Sequence, residues 1–328
     1  MTGLGTRDSG LGLLLAGCAL ALTLATTGCA HAQTSSPESR VPSPGRFTHA
    51  DTARLHRTLD SLAESHRGIL GYTVWNLDTG ERLERRGDET FPTASLIKVS
   101  ILVTVFDLVE KKMLSLDDPL TVLKIDQVPG SGTLQFMHPG IEISVRDAAW
   151  LMTTISDNTA TNLLLDRIVI RRTWDKMESL GLMHTKVHSK SFIRAASVAM
   201  DSSVKYGLGV TTPNEMAKLF ALLADGKAVS PAADSTMLDF LAHNQDETKL
   251  VRWVDGVRVA HKTGDVDQSR ADCALFYLQS RVVVCGLTKE NVDRSYAIDA
   301  EGNAVLARLG KAVADAWPRR APNGTPAP

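Results

Sequence analysis

The sequence predicts an α/β fold of the mixed α+β kind: one mixed sheet flanked by helices, with an all-helical lobe inserted into it. Two features of the layout carry that prediction. Segments of strand character lie towards both ends of the chain, while the middle, from residue 95 to about Gly226, is largely helical in pattern. Distant strands share one sheet most simply if the middle is an insertion, and a site is then expected in the cleft between sheet and lobe.

The elements follow in order. A helix is expected over about 50–66, apolar at Leu55, Leu59 and Leu62, followed by strands around 69–77 and 82–86. After Pro92 and Thr93 the run Leu96, Ile97, Val99, Ile101, Leu102, Val103 is apolar on every face of a helix, the mark of a buried one. Ser95 opens that helix and Lys98 follows three residues later on the same face, so hydroxyl and amine can meet. A buried ammonium is costly, and burial lowers its pKa towards that of a base. The alternative is a lysine that reaches solvent from the first turn. A second Ser-x-x-Lys, Ser202 to Lys205, has no such context.

Ser156-Asp157-Asn158 lies at a break between helical runs at 145–152 and 160–165, where one of the three is expected to cap the second helix. Lys262-Thr263-Gly264 ends an alternating segment at 257–261 that reads as a strand. A glycine there lets a ligand approach the backbone closely; otherwise the tripeptide is a strand running into a turn. Further strands are expected at 271–278 and 281–287, and a last helix at 301–316.

Ser95-Leu96-Ile97-Lys98, Ser156-Asp157-Asn158 and Lys262-Thr263-Gly264, in that order and 61 and 106 residues apart, resemble the penicillin-recognising serine enzymes, class A β-lactamases in particular. The likeness extends over residues 50–317, including Phe91-Pro92-Thr93-Ala94 ahead of the serine. It implies an antiparallel five-stranded sheet, Ser95 as nucleophile and Lys98 as the base that takes its proton, directly or by relay. It further implies that Ser156 passes a proton to the leaving nitrogen, that Asn158 holds the substrate's amide side chain, and that Lys262 supplies positive charge. Thr263, Gly264 and Asp265 would border the substrate, with the oxyanion between the backbone N–H groups of Ser95 and Asp265.

Three departures bear on activity. Class A enzymes carry a Glu in an E-x-x-L-N loop that activates water to release the acyl-enzyme, yet residues 179–214 contain no Glu. Asp201 and His188 are the titratable candidates in that stretch, so acylation is supported and fast deacylation is not. Asp265 stands where the family has a small or hydroxyl residue and sets a negative side chain near the place of a substrate carboxylate; Arg270 is either its offset or an ordinary exposed arginine.

Composition is that of a soluble globular protein, 43% hydrophobic and 22% charged with net charge −1, and no basic bias points to nucleic acid. Arg7, the apolar run 11–24 and Ala30-His31-Ala32 read as a signal peptide over 1–32, so an exported, periplasmic or envelope-associated protein is expected. Lipid attachment at Cys29 is the competing reading of that segment. Residues 33–48 read as a Ser/Pro-rich tether, 49–317 as one hydrolase domain and 318–328 as a disordered tail. Cys273 and Cys285 fall on neighbouring strands and either pair or stay as separate thiols. No G-x-S-x-G, H-E-x-x-H or H-x-H-x-D motif occurs; His184 and His188 are a poor zinc pair, and no metal or cofactor is expected. A monomer acting on a β-lactam or a peptidoglycan peptide is the expectation. Three activities fit: a β-lactamase, a D-Ala-D-Ala peptidase, and a protein acylated once by penicillin.

Overall fold

The computed structural model describes residues 49–317. The expected leader, tether and tail, with Cys29, lie outside the described residues. Helix α1 (His49–Ser65) buries Leu55, Leu59 and Ala63, four residues apart, and leads to β1 (Ile69–Asn76) and β2 (Arg82–Arg85). Strand β3 (Phe91–Pro92) runs through a 3-10 turn at Ala94–Ile97 into α2 (Lys98–Glu110). Strands β4 (Pro119–Thr121) and β5 (Glu142–Ser144) pair with each other, ahead of α3 (Val145–Thr154), α4 (Asn158–Ile168) and α5 (Ile170–Ser179). The middle closes with β6 (Lys186–Val187), α6 (Met200–Tyr206), β7 (Gly209–Thr211), α7 (Pro213–Ala224) and α8 (Pro231–Ala242). Strands β8 (Arg258–Val266), β9 (Ser269–Tyr277) and β10 (Arg281–Lys289) and helix α9 (Glu301–Ala316) complete the chain.

The main sheet has the order β2-β1-β10-β9-β8 and every neighbouring pair is antiparallel, so the sheet is not mixed in direction. Pairing of β1 with β10 joins the two ends of the described residues and leaves the middle as the inserted lobe, which is not all-helical: it also carries the β4–β5 pair and a small sheet of order β3-β7-β6. Side chains of α1 and α9 form a core on one face of the sheet, with Leu59, Leu306 and Leu309 among its members. On the other face α2 is the centre of a larger core, and every residue from Lys98 to Leu108 is buried. Each fully buried leucine there contributes about 1.5–3 kcal/mol.

Two local expectations are corrected. Ser95 lies on the 3-10 turn, not on the α-helix, and Lys98 is the first α-helical residue. Residues three apart eclipse in a 3-10 turn, so the shared face is kept. Lys262-Thr263-Gly264 lies inside β8, because the β8–β9 ladder continues to Val266↔Ser269 and turns only at 267–268. Polar residues hid this continuation from a pattern based on apolar alternation. Cys273 and Cys285 are directly opposed in the β9–β10 register, with Cα atoms 4.0 Å apart, and form a disulfide.

Candidate active site

The nucleophile turn is held against the edge of the sheet. Ala94, just before Ser95, has φ +44°, a left-handed conformation that costs a residue with a Cβ of order 1–3 kcal/mol. A Cβ on Gly264 would lie 2.2 Å from the Thr93 carbonyl oxygen and 2.9 Å from the Ser95 nitrogen. The glycine is therefore needed for strand β8 to pack on the turn, and not only for a ligand's approach. Ser95 and Asp265 both line two adjoining cavities of about 610 and 350 Å³, the two lobes of one cleft.

Lys98 is buried beneath the cleft. Its Nζ donates to Ser156 O (2.8 Å), Ser156 Oγ (3.2 Å) and Asn158 Oδ1 (2.8 Å). No Ser95–Lys98 hydrogen bond is present among the described residues; the amine's bonds run to the 156–158 turn. Lys262 Nζ donates to the same Ser156 Oγ at 3.2 Å and to Thr263 O at 2.9 Å. One hydroxyl thus joins two buried amines. Burial, reinforced by the neighbouring Lys262 charge, drives the Lys98 pKa well below that of a free lysine, and burial lowers that of Lys262 to about 8 although the Asp246 carboxylate opposes it.

The supports of this turn explain its sequence. Ser156 has φ +58°, and Asp157 caps α4, its carboxylate accepting from the backbone N–H groups of Ala160 (2.9 Å), Thr133 (2.7 Å) and Leu134 (2.9 Å). Asn158 also donates from Nδ2 to Pro129 O at 3.2 Å, and its backbone N–H meets Ser131 O at 3.0 Å. Gly132 has φ +105°, and a Cβ there would lie 2.2 Å from Asp157 Cγ. The Pro129-Gly130-Ser131-Gly132 loop, with Ser131 lining both lobes, was passed over in the sequence; its two glycines in four residues were the available signal.

A second charged group occupies the other wall. Lys249, overlooked in the sequence, donates to Asp246 Oδ2 (2.8 Å) and Thr248 Oγ1 (3.0 Å) and pairs with Asp265 Oδ2 (3.0 Å). Asp265 Oδ1 faces Arg270 Nε at 3.3 Å. Arg270 is buried, and its Nη1 and Nη2 donate to the carbonyl oxygens of Val266, Ser269 and Ser295, so it is neither an exposed strand arginine nor a lining residue of the cleft. Burial lowers the Lys249 pKa, but Asp265 and Asp246 outweigh it and raise the net value. For Asp246 burial acts upward, and the Lys249 charge with hydrogen bonds from Lys249, Thr248 and Thr263 brings it below the usual carboxylate range. Thr263 lines the smaller lobe beside Asp246.

Neither candidate water base stands in the cleft. His188 is buried, its Nδ1 3.2 Å from Gly207 O, with a pKa lowered by that burial; Asp201 is exposed on α6, and neither lines a lobe. From that stretch the cleft receives Ser191 and Phe192 instead, with the Ser191 backbone clamped by both ends of the Asn162 amide (2.8 and 3.0 Å). His184 Nδ1 lies 2.8 Å from Glu215 Oε1, and among the described residues no group of three or more His, Cys, Asp or Glu could hold a metal ion.

Comparison with known proteins places the fold in a family. The chain is 26% identical over 280 residues to beta-lactamase L2 of Stenotrophomonas maltophilia, covering 81% of this chain and 84% of that one. Among solved structures it is similar to an ancestral (GNCA) class A beta-lactamase, with TM-score 0.70 and 28% identity over 80% of this chain and 99% of the other. It is equally similar to PBP-A, in the form of a point mutant solved as an acyl-enzyme complex with penicillin G, with TM-score 0.71 and 27% identity over 80% and 96% of the two chains. The model of the beta-lactamase enzyme family matches residues 54–317, and the chain belongs to that family of serine hydrolases.

Proposed function

We propose that this protein opens β-lactam rings by acylation of Ser95 and releases the product slowly. The observation that carries the reading is the Ser156 hydroxyl, 3.2 Å from both Lys98 and Lys262 and bordering the same cleft as Ser95. Ser95 Oγ attacks the lactam carbonyl carbon, and its proton passes to the neutral form of Lys98, the form that burial favours. The backbone N–H groups of Ser95 and Asp265, brought together by the missing Cβ of Gly264, hold the oxyanion. As the C–N bond breaks, Ser156 Oγ gives its proton to the departing nitrogen and recovers one from Lys98. The proton lost by Ser95 thus ends on the ring nitrogen. The second Nδ2 hydrogen of Asn158 remains for the substrate's amide, and the cationic form of Lys262 faces its carboxylate.

Slow release follows from the cleft's acids. Asp246 and Asp265 are its lining carboxylates among the described residues, and each is tied to a buried cation. This favours, as second readings, a D-Ala-D-Ala peptidase of peptidoglycan or a protein that penicillin acylates without turnover. Export to the periplasm or envelope is proposed on the leader-like segment 1–32. Intact-protein mass spectrometry after addition of benzylpenicillin tests the reading: a stoichiometric adduct that decays over many turnovers supports a slow β-lactamase, and one that persists supports the second readings. The Ser95→Ala protein should form none, and an adduct forming on it at the wild-type rate removes the nucleophile assignment.

A further inference from the structure

Each cation on the Asp265 wall of the cleft already holds a carboxylate of the chain itself. Asp265 Oδ2 lies 3.0 Å from Lys249 and Oδ1 3.3 Å from Arg270, so its two oxygens divide between two cations. Lys249 and Arg270 are each 1% exposed, whereas the Asp265 side chain is 28% exposed and lines both lobes. Asp246, 33% exposed, covers Lys249 from the other side. A substrate entering from solvent therefore meets the acids before the bases, and the two positive charges behind are matched by two negative charges in front.

We propose that Asp265 is a specificity-determining residue, an internal stand-in for a substrate carboxylate, so that this cleft favours substrates with a neutral or cationic group beside β8 over those that present an acid there. The inference rests on the proposed acylation of Ser95 and concerns only which acyl donors are selected. An anionic substrate has to displace the Asp265 side chain from Lys249 and Arg270 or lie against it; displacement trades one charge-assisted pair for another, and apposition sets two carboxylates together. Lys262 is the remaining lysine at this site for an acid, and burial holds its pKa at about 8, so part of its charge is already lost in mildly alkaline solution.

The test compares acylation rates of the full-length wild type, Asp265→Asn and Asp265→Ala by benzylpenicillin, whose carboxylate is free, and by benzylpenicillin methyl ester, in which it is neutral. The readout is the ratio of the acid's rate to the ester's. A merely structural role would move both rates together and leave the ratio alone. The ratio is expected to rise about tenfold in Asp265→Ala, the worth of one charge-assisted hydrogen bond regained, and by less in the isosteric Asp265→Asn, where the amide still fills the place. An unchanged ratio in both variants overturns the proposal while leaving the Ser95 chemistry intact. A wild type that gains no adduct from either compound overturns the proposed function and this inference with it.

Discussion

Lys98 and Lys249 are each 1% exposed, one beneath the cleft and the other in its wall, yet their pKa values move in opposite directions. Both lose hydration. Lys249 meets Asp246 and Asp265 within 3.0 Å, and these carboxylates more than replace the lost water. Lys98 meets a carbonyl oxygen, a hydroxyl and an amide oxygen, with the charge of Lys262 close by, and the carboxylate that acts on it, Asp157, already accepts from three backbone N–H groups. Lys262 lies between the two cases, lowered by burial and partly restored by Asp246. The contrast teaches that depth alone does not make a lysine a base. A desolvated amine becomes one where its neighbours are dipoles rather than anions, and the same depth with paired anions yields a permanent cation suited to structure.

The largest expected effect comes from replacing the unpaired amine. Lys98→Met should slow penicillin adduct formation about 1000-fold, the middle of the range for losing a general base, while the midpoint of chemical denaturation stays level or rises because a poorly hydrated amine has gone. Lys249→Met should do the reverse. It leaves Asp246 without a cation and Asp265 with Arg270 alone, and a loss of about 1–2 kcal/mol in stability is expected in denaturant titration, larger than its effect on adduct formation. If both variants lower stability alike, the distinction between the two lysines is broken.

The smallest effect sharpens the intermediate case. Lys262 is cationic below about pH 8 and neutral above it, so if its charge holds the substrate's acid, adduct formation should fall as pH rises through about 8. One unit higher the expected fall is about tenfold. In Lys262→Arg this alkaline limb should vanish, since a guanidinium stays charged across the range, whatever the absolute rate. A limb of unaltered position in that variant assigns the titration to another group.

The local elements were legible because they follow from short-range periodicity. Leu55 and Leu59 marked α1, and the unbroken apolar run after Ser95 marked a buried α2. The five strands of the main sheet show in the pattern, though it stops short of the end of β8, because Lys262, Thr263 and Asp265 are polar residues at the sheet's edge. The three motifs identified Ser95, Lys98, Ser156 and Lys262, and the fold brings them to one cleft and the turn beneath it. They did not reveal Lys249, which sits in no motif and acquires its role only from Asp265, sixteen residues on in sequence and 3.0 Å away in space.

By itself, then, the sequence determined the strands of the main sheet with the first and last helices, the buried character of α2 and the chemical identity of the site's groups. These are properties of spacing and side-chain type, and they survive any arrangement of the rest. Tertiary structure decided the direction of each pKa shift, the pairing of Cys273 with Cys285 and the need for a glycine at 264. It also decided that Asp265 faces two cations rather than none. Each of these depends on distances of a few ångströms between residues that the chain order leaves apart, and electrostatic and steric energies change most steeply over that range.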